Sequence, residues 1–424
     1  LSAGRGFLVM HSIVPTGTVV STALLWPFVL LVAVPVRTST SSCSSDADCC
    51  YAGTCDRRTG KCACDQGFGG GSCCTFQFQP APSALISKLP LESGFHHDYA
   101  WGGSVLQDAA GTYHMFKSVL VNRCPIQYYD TNSIIVHMTA ATFLGPYTFR
   151  DVALQPRSSA HFDNAYVHAP LITRTPNGSF ALYYETASLD HGSNYTTPDC
   201  TNGDHPSYPD PKGKRCMGVA LSTSLDGPWM RQEQSLLGDN CVPERVSRAA
   251  GGPQPGQGDV SNPAVVILPN SSALLLYRYE AANHECIGVA FCRHYAGRCQ
   301  ELPLPNVGLF PNWNGEDPYV WVDSKSHVHV VYHCYVNDED PVGCHAVLRD
   351  LEGDWTEWYS PSDPAAYYRN VTWSNGTSST LGRRERPQVL VRDGTPIALF
   401  SGATIQRGDS LEAATFTMVQ ALEK

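Results

Sequence analysis

Beyond residue 95, apolar and polar positions fall into one unit written five times. The copies are WGGSVLQDAAGTYHMFKSV, VHAPLITRTPNGSFALYYE, SNPAVVILPNSSALLLYRYE, EDPYVWVDSKSHVHVVYHCY and ERPQVLVRDGTPIALFSGA. Each sets a polar tip before an apolar strand, a turn with Gly, Asn or Ser, and a second strand ending in an aromatic. Alternation and β-branched or aromatic enrichment predict strands, and the N-G, D-G and N-S-S breaks predict hairpins. The third strand repeats as well: SIIVHMTAATFLGPYTF in the first copy matches CMGVALSTSLDGPWMRQ in the second, both closing on G-P-aromatic. From Gly103 through Pro170, Pro263, Pro318 and Pro387 the steps are 67, 93, 55 and 69 residues, each enough for four strands and their loops. The pattern predicts an all-β, five-bladed β-propeller over residues 95–424. A β-sandwich is the rival, but it gives no reason for a motif to recur together with its third-strand partner.

Upstream of residue 95 the pattern changes twice. The apolar run at residues 17–36, followed by RTSTSS, reads residues 1–42 as a secretory signal; its length would also serve as a membrane anchor. Eight cysteines then crowd residues 43–74, with few large apolar residues, so cross-links must supply the order a small core cannot. Their sequence, with C-x-C before G-F-G-G, resembles an epidermal growth factor-like module. That resemblance implies Cys43 paired with Cys55, Cys49 or Cys50 with Cys62, and Cys64 with Cys73, leaving Cys50 and Cys74 able to bridge each other. Such a module is either a stapled spacer or a contact for a protein partner. Residues 75–94 read as a linker. Farther on, Cys200 with Cys216, Cys292 with Cys299 and Cys334 with Cys344 are short enough in sequence to be bridges.

The chain carries 17 cysteines, an odd number, so one thiol is left over or pairs with another chain. That number suits an oxidising compartment, as do the N-x-[ST] sequons at Asn177, Asn194, Asn270, Asn370 and Asn375. A secreted or outward-facing protein is expected. The formal charge of −10, with no basic run, sets aside nucleic acid as a partner, because phosphate binding needs a basic surface.

In a propeller the innermost strand of each blade starts beside the central channel, so residues preceding these strands converge. The tips collect His97 and Asp98; Asp163, Asn164 and His168; Asp259 and Asn262; Glu316 and Asp317; and Arg383, Arg384, Glu385 and Arg386. Glycoside hydrolysis needs a protonated carboxyl on the leaving oxygen and an ionised one as base or nucleophile, which such a ring can supply. Arginines there suit planar recognition of polyhydroxylated or anionic groups. The copies resemble the five-bladed glycoside hydrolases related to family 43, more closely a little-characterised secreted branch, over about residues 95–403. The resemblance rests on Ala169-Pro170, Glu316-Asp317-Pro318, EDPYVW, RRERPQ and NSIIVH.

The resemblance implies a carbohydrate-cleaving enzyme with Glu316 as general acid and a base drawn from Asp98, Asp163, Asp259 or Glu385. Trp101, His168, Asn262, Asp317, Arg383, Arg384 and Arg386 would contact the carbohydrate. Two positions depart from the family pattern: the first-blade Asp-Pro reads Gly102-Gly103, and the third-blade Asp-Pro reads Asn262-Pro263. A propeller that binds sugar without cleaving it, or an adhesion protein, is the alternative. Trp313, Tyr319 and Trp321 are either sugar platforms or core. No cofactor is expected; a structural metal in the channel stays open, and His327, His329, His333 and His345 gather around the fourth blade without a readable ligand set.

Overall fold

The inner strands of the blades are apolar on both faces because each is sandwiched between neighbouring blades, whereas the outer strands alternate. Val167–Arg174 is buried over its first six residues, while Tyr147–Leu154 alternates between covered and solvent-facing positions. The computed structural model describes residues 42–82, 87–88, 99–189, 196–202, 214–237, 260–281, 284–303, 309–310, 314–335, 343–351, 353–355, 357–360, 364–405 and 415–424. Within these it is a nearly all-β, five-bladed propeller, as the repeats predict.

Blade 1 runs Ala100–Gln107, Tyr113–Leu120, Ser133–Ala140 and Tyr147–Leu154 from the channel outward, with Ser87–Lys88 added parallel at its edge. Blade 2 is Val167–Arg174, Phe180–Ser188, Lys214–Ser222 and Met230–Arg231; blade 3 is Val260–Ile267, Ala273–Ala281, His284–Cys292 and Cys299–Glu301. Blade 4 is Asn314–Val322, Val328–Tyr335, Gly343–Leu348 and Ala365–Tyr367, and blade 5 is Arg383–Arg392, Thr395–Thr404 and Thr415–Ala421. All neighbours within these blades are antiparallel, apart from the added edge of blade 1. Residues expected to start the linker instead extend blade 5: Phe78 bridges Leu422, and Gln79 N–H donates to the Ala421 carbonyl at 2.9 Å. The two G-P-aromatic bends follow the third strands of blades 1 and 2, each with a cis X-Pro bond, Gly145-Pro146 and Gly227-Pro228.

The core is a set of layers between blades. Leu171, Tyr183 and Val219 of blade 2 meet Val260, Leu275 and Tyr277 of blade 3, and equivalent layers join the other pairs. Each fully buried Leu or Val contributes roughly 1.5–3 kcal/mol relative to exposure. The layer between blades 4 and 5 continues into the cysteine-rich region through Trp321, Val331, Val389, Phe68 and Phe76. There Cys43–Cys55, Cys49–Cys62, Cys50–Cys74 and Cys64–Cys73 are joined, which selects Cys49 over Cys50 as the partner of Cys62, the choice the resemblance left open.

Cys292–Cys299 and Cys334–Cys344 also form. Cys200 does not pair with Cys216 but with Cys124. The reason is local: Asn122 and Asn132 amides both donate to the Pro198 carbonyl at 2.9 Å, and Cys200 N–H donates to the Asn122 carbonyl at 3.0 Å. These bonds hold residues 198–200 against the turn after the second strand of blade 1. Cys286 is a buried thiol outside the disulfides. No helix among the described residues is long and apolar enough to cross a membrane.

Candidate functional site

One backbone device builds the site five times. In every blade the inner strand carries one extra residue against its partner, between Trp101 and Ser104, His168 and Leu171, Ser261 and Ala264, Glu316 and Tyr319, and Glu385 and Gln388. The residue after the first of each pair is left-handed: Gly102 at φ 63°, Ala169 at 56°, Asn262 at 53°, Asp317 at 54° and Arg386 at 61°. Such a bulge breaks the alternation of a strand, so two consecutive side chains can turn toward the channel. This is why Glu316 and Asp317, and Glu385 and Arg386, reach the same cavity.

The bulges are tied to one another by side chains of the preceding blade. Ala169 N–H donates to Ser118 Oγ at 3.0 Å, Asn262 N–H to Glu185 Oε2 at 3.0 Å, and Arg386 N–H to Asp317 Oδ2 at 3.1 Å. The cavity they surround measures about 400 Å³ and is lined from all five blades. Trp101, His168, Asn262, Glu316, Asp317, Arg383, Glu385 and Arg386 all line it, so most of the residues singled out in the sequence are brought together. Trp101 packs over Gly402, where a Cβ would lie 2.5 Å from the indole, with the Arg383 guanidinium 5.7 Å from its ring.

Other expected residues go elsewhere. Arg384 alternates outward between Arg383 and Glu385. It is buried between the Phe78 and Tyr367 rings and donates to the Tyr368 carbonyl and to Gln420, so it holds the blade edge. Asp163 is buried against Arg157, Arg231 and Tyr184, which occupy both of its oxygens, and Asn164 is bonded to the Leu189 backbone. Trp321 is core, its ring 5.0 Å from that of His329, and Tyr319 packs with it. His97, Asp98, Asp259 and Trp313 lie outside the described residues.

Charge at the site is closely paired. Asp317 meets Arg386 Nη1 at 2.6 Å with both side chains buried. Glu316 accepts from Tyr335 OH at 2.6 Å, faces His333 Nδ1 at 3.3 Å and lies 3.4 Å from Arg278 Nε. Burial works to raise the Glu316 pKa, but the His333 hydrogen bond, the Arg278 charge and Tyr335 outweigh it and hold the carboxyl at about 2. In return His333, although burial opposes its charge, is raised to about 9 by Glu316 and the nearby carboxylates.

The neighbouring acids shift the other way. Glu385, bonded to Arg383 Nε at 2.8 Å, is raised by burial and by the Glu316 charge, against His333 and Arg383. Glu285 is raised by burial and by Glu316, and Glu185 by burial. One ionised carboxylate therefore sits among acids biased toward the protonated form, the separation of roles that acid/base chemistry needs. Glu316, Asp317 and His333 also offer ligand atoms within 4.8 Å of one another. A cation there would compete with Arg278 and Arg386 for the same oxygens.

Glu185, Arg278, Glu285 and Tyr335 also line the cavity without having been expected from the sequence, as do Gln127 and Tyr129. For Glu185 and Arg278 a signal existed. Trp101 pairs with Ser118, His168 with Glu185, Ser261 with Arg278, Glu316 with His333 and Glu385 with Gly402, a separation of 17 residues in every blade. Gln127 and Tyr129 come from the turns between the second and third strands of blade 1, where no repeat guides the eye.

No family model and no curated protein matches the chain. Solved structures do. An α-L-arabinofuranosidase from Podospora anserina in complex with cellotriose aligns at TM-score 0.55 and 13% identity, covering 83% of this chain and 98% of that one. A family 117 glycoside hydrolase from the marine bacterium Zobellia galactanivorans aligns at 0.53 and 13%, covering 82% and 90%. A GH62 hydrolase in complex with xylotriose aligns at 0.52 and 10%, covering 82% and 98%. At these identities the likeness establishes a shared propeller fold.

Proposed function

We propose that this protein is a secreted or outward-facing glycoside hydrolase whose carbohydrate substrate enters the five-blade cavity. The observation that carries the reading is that Glu316 and Glu385 line one open pocket from adjacent blades, Glu316 ringed by Tyr335, His333 and Arg278, which favour its charge, while burial and the Glu316 charge push Glu385 toward its protonated form. Glu385 gives its proton to the leaving glycosidic oxygen, and Glu316 acts as base on water or as nucleophile at the anomeric carbon. This exchanges the roles expected from the sequence, where Glu316 was the acid, because His333, Tyr335 and Arg278 stabilise its charge. Trp101 offers a flat apolar face, and the Arg383 and Arg386 guanidiniums offer planar donors. The complexes with cellotriose and xylotriose among the fold's relatives support a carbohydrate ligand.

Reducing-sugar release from a panel of plant, algal and microbial polysaccharides tests the reading, with the pH profile as readout. Activity should fall as pH rises through the elevated Glu385 pKa, and Glu385→Gln should cost about 10²–10⁴-fold and remove that limb. An unaltered profile in Glu385→Gln excludes it as the acid.

Gly102 and Asn262, standing where the related family carries aspartates, favour a second reading: a propeller that binds carbohydrate without cleaving it. Glycan-array binding by the wild type with no product from any bound glycan selects that reading.

A further inference from the structure

Blades 1 and 4 each bury a chain of one aspartate and two histidines, remote from the cavity. In blade 4, Asp323 Oδ2 lies 3.3 Å from His329 Nε2, and His329 Nδ1 lies 3.0 Å from His345 Nε2. In blade 1, Asp108 Oδ2 lies 3.2 Å from His114 Nε2, and His114 Nδ1 lies 2.9 Å from His137 Nε2. Both aspartates close the turn after the inner strand, and both first histidines follow six residues later.

The far ends of the two chains differ. In blade 4 the cysteine-rich region closes the end, with the Phe68 ring stacked 5.5 Å from that of His345 and the Cys74 backbone beside it. In blade 1 the end faces two carboxylates: His137 Nδ1 is 3.7 Å from Asp151 Oδ1 and 4.0 Å from Asp226 Oδ1. The His137 side chain is 0% exposed, and its Nδ1 has no hydrogen-bond partner.

Asp108 Oδ2 can only accept from His114 Nε2, and the His114 tautomer that puts the hydrogen there presents Nδ1 as an acceptor. That nitrogen accepts His137 Nε2–H, which leaves His137 Nδ1 as a lone pair. A lone pair and two carboxylates then converge with no hydrogen to share. Arg150, 3.7 Å from Asp226, offsets charge on the exposed side only. A metal-binding histidine characteristically donates its second ring N–H to a carboxylate; here His114 relays that bond to Asp108.

We propose that His137 Nδ1, Asp151 and Asp226 hold a divalent metal ion of the zinc class, with water completing its shell. One nitrogen and two carboxylate oxygens suit such an ion. Donors on a tetrahedral ion lie roughly 3.4 Å apart, given bonds of about 2.0–2.2 Å. The aspartates are about half exposed, so rotation of their side chains can bring an oxygen of each toward His137 Nδ1, from 3.7 and 4.0 Å in this arrangement. Asp151 belongs to the outer strand of blade 1, and Asp226 to the bend after the third strand of blade 2. The ion would fasten these two blades, as the cysteine-rich region fastens blades 4 and 5.

Untagged full-length protein with its disulfides intact, stripped of metal and titrated with Zn²⁺ alone by calorimetry, tests this directly. We expect one zinc per chain, a raised Tm on loading, and at least about 10-fold weaker binding in the Asp151→Asn/Asp226→Asn double variant. Both positions are solvent-facing, so the variant should fold; its unloaded Tm checks that. Failure of the wild type to bind zinc, or binding unchanged by the double substitution, overturns the proposal. The latter outcome would place the ion at another cluster, such as Asp323, His327 and His329.

Discussion

Blade 4 opens its inner strand with Glu316 and Asp317, whereas blade 1 opens the same bulge with Trp101 and Gly102. The backbone is equivalent: each has a left-handed residue, one extra position, and a partner 17 residues later. What differs is the chemistry hung on it. Blade 4 surrounds two carboxylates with His333, Tyr335, Arg278 and Arg386, while blade 1 presents an indole over Gly402 and a glycine carbonyl accepting from Thr417. A bulge fixed by one left-handed residue leaves that side chain free to vary, so the five blades carry different chemistry on one backbone.

The largest expected effect separates the blades by activity. Glu316→Gln should lower kcat by about 10³-fold or more, measured as sugar release, because it removes the ionised carboxylate while keeping its shape. Trp101→Phe in blade 1 should act mainly on KM, since it trims an apolar platform. Equal losses in kcat from the two would erase the distinction drawn here.

Stability sharpens the contrast next. Asp317→Asn strands the buried Arg386 charge and its amide, at a cost of about 3 kcal/mol or more in denaturant unfolding. A loss below 1 kcal/mol would show that another group takes up that charge.

A pH-dependent part of stability should follow. His333 is raised from its ordinary value to about 9 and Glu316 lowered to about 2, so their pair contributes fully between the unfolded values of 4.5 and 6.5, and the His333 share is lost as pH climbs through 9. The expected decline is on the order of 3 kcal/mol across that window, from about 1.4 kcal/mol per pKa unit. His333→Gln should flatten the decline in chemical denaturation at pH 6 and pH 9.5.

The smallest change makes blade 1 resemble blade 4. Gly102→Asp places a carboxylate at a φ that Asp317 already tolerates, but its Cβ would sit 2.9 Å from Arg386 Cγ. We expect a stability loss of about 1 kcal/mol, from strain and a shifted arginine. A Tm unchanged or raised would mean that Arg386 moves aside at no cost.

The chain's own pattern determined much of this. Repetition of strand, turn and aromatic revealed five blades because each blade must bury the same two faces against its neighbours, and eight crowded cysteines required a stapled region. Glu316, Asp317, Glu385, Arg383 and Arg386 were legible because the bulge falls beside a recurring Pro. Tertiary structure alone decided that Arg384 is held between the Phe78 and Tyr367 rings and that Asp163 is consumed by Arg157 and Arg231, since packing partners that only folding brings up set those fates. It also decided which carboxyl is ionised. The charges that hold Glu316 down and the burial that lifts Glu385 come from residues as distant in sequence as Arg278, and electrostatics depends on distance in space.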